Sequence, residues 1–99
     1  MHDFVQLLEQ IQLRPPMYLG EHNILCLKAF LDGWLLGYAR SSEPMDFMVR
    51  FQVHIAKKYR ISSTQSWAHI LAFYSPNLSA ALDLAFREFQ DFRKEDMAT

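Results

Sequence analysis

Four histidines, one cysteine and a cluster of hydroxyls are the residues whose chemistry needs testing first. His2, His22, His54 and His69 show no i, i+4 pairing and no neighbouring carboxylate in an HExxH arrangement, so no metal centre is expected. Cys26 falls in the first turn of a predicted helix, where the macrodipole could lower its pKa. Its neighbours Ile24, Leu25 and Leu27 make it a small core filler instead. A lone cysteine also excludes an intrachain disulfide. Ser62, Ser63, Thr64 and Ser66 read as a solvated linker ending in a helix cap, and no glycine-rich phosphate loop occurs. Neither catalysis nor a cofactor is expected.

Charge is the second resource. Ten basic against eleven acidic residues give a net charge of −1, which implies no general attraction to nucleic acid or membranes. The distribution is uneven. Phe47 to Leu82 contains Arg50, Lys57, Lys58 and Arg60 with no acid, while both ends of the chain are acid-rich. With His54, these residues form a basic stripe that could touch phosphates. A solvated helix face is the reading favoured for them. Glu88, Asp91 and Glu95 on the last predicted helix form an acidic surface able to steer a basic partner into contact.

The most distinctive string is Arg14-Pro15-Pro16-Met17-Tyr18-Leu19-Gly20. Two consecutive prolines predict a stiff, extended connector. Met17, Tyr18 and Leu19 anchor it to a core, and Gly20 permits the turn that follows. The reading favoured for it is a helix–helix connection locked by aromatic packing; a functional reading would have it also present Arg14, its first residue, and the following Glu21 to a partner.

The elements that must position these groups are helical throughout. Apolar residues recur at i, i+3 and i+4 in five stretches, with no period-two strand between them. The first runs from about Phe4 to Leu13, with Asp3 as N-cap and Gln6 completing a capping box. The second, Asn23 to Arg40, carries a stripe of Ile24, Leu27, Phe30, Leu31, Trp34, Leu35 and Tyr38. Gly33 and Gly37 lie on another face and imply that a second backbone packs closely there, making this the central helix. A third, Met45 to Tyr59, buries Phe47, Met48, Phe51, Ile55 and Tyr59, with Asp46 and Arg50 spaced to pair. Ser66 caps a short helix, Trp67 to Tyr74. Ser79 caps the last, which runs to about Lys94 with Leu82, Ala85, Phe86, Phe89 and Phe92 inward. The tail from Asp96 to Thr99 is expected to fray.

Together these features predict an all-α fold, a single compact bundle of about five helices spanning residues 1–99. At 51% hydrophobic residues the chain can sustain one core. Its N-terminus lacks the features of a signal peptide, and Ile24 to Ala39 is too short and polar to cross a bilayer. A cytoplasmic location without membrane contact follows as the expectation.

The RPPMYLG string is similar to the RPxMY(I/L)G motif of the ATPase region of DNA gyrase B subunits, as is the helix before it, Leu8-Glu9-Gln10-Ile11. The similarity stops there. That ATPase has a catalytic Glu, a magnesium-binding Asn, glycine-rich loops and a sheet, whereas the helix following the string here offers Asp32 alone. A longer match combines RPPMYLG with Leu27-Lys28-Ala29-Phe30-Leu31-Asp32-Gly33, Phe51 with Ile55-Ala56-Lys57-Lys58-Tyr59, Ser66-Trp67-Ala68-His69-Ile70-Leu71, and Leu82, Phe86 and Phe89. In that order they resemble a family of small helical bacterial proteins, some of which are immunity proteins of contact-dependent growth inhibition. The resemblance implies a cytoplasmic, non-catalytic protein that binds a cognate toxin domain, frequently a nuclease, and blocks it. Glu88, Asp91, Glu95, Arg14 and Glu21 are then the candidate contacts. The alternative is a nucleic-acid-binding adaptor using Arg50, His54, Lys57, Lys58 and Arg60.

Overall fold

Each stretch with helical apolar spacing is a helix in the computed structural model, which describes residues 1–98. The elements are α1 (His2–Leu13), α2 (Pro15–Leu19), α3 (Ile24–Gly37), α4 (Glu43–Lys58), α5 (Trp67–Phe73) and α6 (Leu78–Ala98), with no strand among the described residues. The all-α bundle is therefore observed, with one helix more than the apolar periodicity indicates.

The extra helix is the proline string. Rather than holding the chain extended, Pro15 and Pro16 occupy the first turn of α2. Proline suits that turn because its fixed φ is helical and its missing N–H would be unpaired there in any case. The helix closes at Gly20, whose N–H donates to the Pro16 carbonyl at 2.8 Å and whose φ of 78° lies in the left-handed region that glycine tolerates. Tyr18 anchors α2 as expected, edge-on to Phe30 of α3 at 6.3 Å.

The helix ends show which polar side chains compete best for free N–H groups. Asn23 caps α3, its Oδ1 accepting from the Leu25 N–H at 2.8 Å, and Ser66 caps α5 by accepting from the His69 N–H. Asp3 does not cap α1: the helix starts at His2, so Asp3 sits inside its first turn and faces the positive end of the dipole. Nor does Ser79 cap α6. That helix starts earlier, and Asn77 Oδ1 accepts from the Ala80 N–H at 2.7 Å. At the other end α6 continues to Ala98, so residues 96–98 are helical; Thr99, the remainder of the expected frayed tail, lies outside the described residues.

The core is one cluster to which every long helix contributes. Phe4, Leu8 and Ile11 come from α1, Ile24, Leu27 and Leu31 from α3, and Phe47, Phe51 and Ile55 from α4. At its centre Phe51 stacks on Phe89 of α6, ring centroids 4.3 Å apart, and meets Trp67 of α5 at 5.6 Å. Such ring pairs add about 0.5–1.5 kcal/mol each beyond the area they bury. Gln52 holds the α4–α5 connection against this cluster: its Oε1 accepts from the Trp67 N–H at 2.6 Å and its Nε2 donates to the Gln65 carbonyl at 2.9 Å.

The central helix is α6, not α3. It packs on α3, α4 and α5 and buries Ala81, Leu82, Ala85, Phe86, Phe89 and Phe92 along its length. The glycines that suggested a close approach on α3 meet nothing: a Cβ built at Gly33 or Gly37 has no neighbour within 4 Å. Tyr38, the last residue of the expected stripe, is also exposed because α3 ends before it. With open space around it, Gly33 only adds conformational entropy to the unfolded chain. Gly33→Ala should therefore stabilise the protein by about 0.5–1 kcal/mol, read as a higher urea midpoint with an unchanged slope. A loss of stability would restore the close-packing view.

Candidate functional site

The two sets of charged residues singled out from the sequence meet on one seam. Arg50, His54 and Lys58 recur every fourth residue and therefore line one edge of α4. Across from them the antiparallel α6 presents Asp96, Glu95 and Glu88 in the reverse order. Arg50 donates through Nε and one terminal nitrogen to the two carboxylate oxygens of Asp96, at 3.0 and 2.9 Å. His54 Nδ1 lies 3.7 Å from Glu95, and its ring packs on Phe92. Lys58 Nζ donates to Glu88 Oε1 at 2.6 Å, and the Tyr59 hydroxyl donates to Glu88 Oε2 at 2.8 Å.

Glu88 is therefore not part of an exposed acidic surface. Only 2% of it is accessible, beside the Phe86 and Phe89 that fill the core, and both of its oxygens have partners. Asp96 is similarly bound into the fold rather than lying in a frayed end. Arg50 gives its hydrogen bonds to Asp96, which offers its planar guanidinium a two-pronged match, while Asp46, one turn away on α4, attracts it through charge alone. The hydrogen bonding to Asp96, offset in part by desolvation, raises the pKa of Arg50. Burial, reinforced by the bond to Glu88, pushes the Tyr59 phenol up to about 12.

Outside the seam, Lys57 and Arg60 are exposed, and Arg60 ends α4 in the left-handed region at φ 57°. The basic stripe is thus divided. Arg50 and Lys58 are ion-paired, His54 faces a carboxylate, and Lys57 and Arg60 have no ion pair among the described residues. On α6 the outer line runs Asp83, Arg87, Asp91 and Glu95, one residue per turn and all exposed. Asp83 approaches His22 Nε2 at 3.2 Å, while His22 Nδ1 meets Ser79 Oγ at 2.7 Å. Asp83 is the member of this line that sequence reasoning missed, although its four-residue spacing from Arg87 was readable. Arg14 and Glu21 sit beyond the two ends of α2, and both are exposed.

A second feature has no counterpart in the sequence motifs. Between α3 and α4 lies an open groove of about 560 Å³, walled by Leu35, Met45, Val49 and Val53, floored by Met48 and Trp67, and edged by the Lys28–Asp32 pair and Ser63–Thr64. Cys26, expected as a core filler, is half-buried, unpaired and outside the core cluster. Among the described residues, no group of three or more His, Cys, Asp or Glu side chains converges as a metal would require, and no helix is long and apolar enough to cross a membrane.

Compared with protein-family models, curated proteins and solved structures, the chain matches none of them.

The seam makes two predictions. Lys58→Met strands the Glu88 carboxylate in the core and should cost about 2 kcal/mol or more, whereas Lys58→Met with Glu88→Met removes both charges and should recover at least about 1 kcal/mol of that loss. Urea unfolding of both single variants and the double variant measures the coupling; additive losses would mean that the pair is not coupled. The second concerns alkaline stability. The native Tyr59 phenol keeps its proton to about pH 12, while the unfolded chain releases it near 10.0. Its contribution is complete below about pH 10 and disappears as pH rises towards 12, because there the unfolded state binds fewer protons. Tyr59→Phe should flatten the fall in stability over that range. An unchanged slope would contradict the assignment.

Proposed function

We propose that this chain is an immunity protein, a cytoplasmic bacterial inhibitor that binds a cognate toxin domain with nuclease activity and covers its active site. The observation that carries the reading is the charge layout around α6. The α4–α6 seam places carboxylates against Arg50, His54 and Lys58, while the solvent edge of α6 carries three carboxylates, Asp83, Asp91 and Glu95, with Arg87 as the one base in that line. From Asp83 to Glu95 the helix rises about 18 Å, a length over which several phosphate-binding side chains can be engaged. A nuclease holds its substrate with Arg and Lys, and carboxylates on a rigid helix can occupy those groups while speeding encounter.

The order of helices and the RPPMYLG string support the same reading through their resemblance to small helical immunity proteins. Arg14 and Glu21 at the ends of α2 supply a second polar contact. A complete interface of this kind covers roughly 1,200–2,000 Å² and rests on a few anchors. The nucleic-acid alternative is weaker because two of its five residues, Arg50 and Lys58, already have carboxylate partners within the fold. Phosphates would have to compete with those carboxylates.

The test is a search of the neighbouring genes for a toxin domain and co-expression of this chain with it; finding no such gene would count against the reading. Wild type should protect growth and co-purify with the toxin. Asp91→Lys with Glu95→Lys, both at exposed positions, should remain folded and slow association at least about tenfold at low salt. Failure of the wild type to protect or to bind would sink the proposal. Salt-sensitive binding to RNA or DNA in place of the toxin would favour the adaptor reading.

A further inference from the structure

The face of α4 towards α3 carries apolar side chains that no element of this chain covers. Met45, Val49 and Val53 follow one another at four-residue spacing and are 40%, 57% and 48% exposed. Three such residues in line, continuous with the groove beside α3, form a contiguous apolar strip rather than scattered surface hydrophobics. The α4–α6 ion pairs occupy a different edge of the same helix.

The charges bordering this strip select its occupant. Asp46 lies near the start of α4 and Lys57 near its end, on the same margin of the strip. Both are exposed; Lys57 has no ion pair among the described residues, and Asp46 attracts Arg50 on its own helix without closing an ion pair, which leaves its carboxylate oxygens open to a partner. Reversing the direction of α4 exchanges position 46 with 57 and, within half a residue of the same centre, position 49 with 53. Two antiparallel helices related by a twofold axis bring like margins together. Such a pairing sets Val49 against Val53 of the second copy and Asp46 against Lys57 of the second copy, and symmetry repeats both contacts. The reversed helix also opposes the two macrodipoles favourably.

We infer that a second copy of this chain docks on α4, forming a twofold antiparallel α4–α4 dimer with Val49 and Val53 at its centre and Asp46–Lys57 pairs at its ends. The groove beside α3 receives the flanking side chains of the partner helix, extending the contact beyond a single helix pair towards the roughly 1,200 Å² typical of a specific interface. This face is distinct from the acidic edge of α6 and does not depend on what that edge binds.

Sedimentation equilibrium from about 1 μM to about 1 mM, the concentration range in which interfaces of this modest size associate, tests it. The expected mass rises with concentration from 11.7 kDa to twice that value. Val53→Glu places two carboxylates beside the twofold axis and should leave a monomer with unchanged helical circular dichroism. Asp46→Lys and Lys57→Asp should each weaken the dimer by about tenfold, since symmetry counts each change twice, and combining them should restore it. A chain that stays monomeric at about 1 mM overturns the proposal. So does a dimer indifferent to Val53→Glu, or a double charge swap no better than the single ones.

Discussion

Glu88 is a carboxylate closed into an aromatic core, and the arrangement of the two longest helices, α4 and α6, follows from how it is balanced. Removing a charge from water costs several kcal/mol unless a partner and hydrogen bonds replace the lost hydration. Lys58 and Tyr59 both do so from the end of α4. Their reach requires α4 to lie antiparallel to α6, in one register. In that register Phe51 stacks on Phe89 and Arg50 meets Asp96 one turn from the end of α6. The apolar stack supplies most of the driving force, being non-directional and large in area. The ion pairs select which of several similar packings is adopted, since a slip by one turn would strand a buried charge.

That constraint also redistributes the charges available for recognition. Basic groups on α4 and acidic groups on α6 could have served two different partners had each faced water. Instead most of them face each other. What remains outside is a helix edge with Asp83, Arg87, Asp91 and Glu95, the cations Lys57 and Arg60, and an apolar strip on α4. These are the surfaces left for any partner, and a near-neutral total charge conceals how unequal they are.

Much of the architecture was legible from spacing alone. Phe4, Leu8 and Ile11, or Phe47, Phe51 and Ile55, repeat every three or four residues, and a helix is the only regular element that places them on one side. Local chemistry was readable at Ser66, the last hydroxyl before the apolar run of α5. It misled at α6. Asn77 and Ser79 could each cap α6, and only the three-dimensional path of the chain decided for Asn77. The proline pair was ambiguous for a related reason: its φ fits both an extended segment and the first turn of a helix. Gly33 and Gly37 were over-interpreted, because a missing side chain is equally compatible with close packing and with empty space.

The sequence by itself determined the helices, their inward faces and the aromatic character of the core, because these depend on periodicity within single segments. Only the tertiary structure decided that α6 is central, that Glu88 is buried, that Arg50 gives its hydrogen bonds to Asp96, and that a groove opens beside α4. Each of these depends on which residues far apart in the chain come together. The energies of such pairings differ by a few kcal/mol and leave no periodic trace in the sequence. The charged residues most noticeable in the sequence were the least predictable, since a charge can equally face solvent, a partner or its own fold.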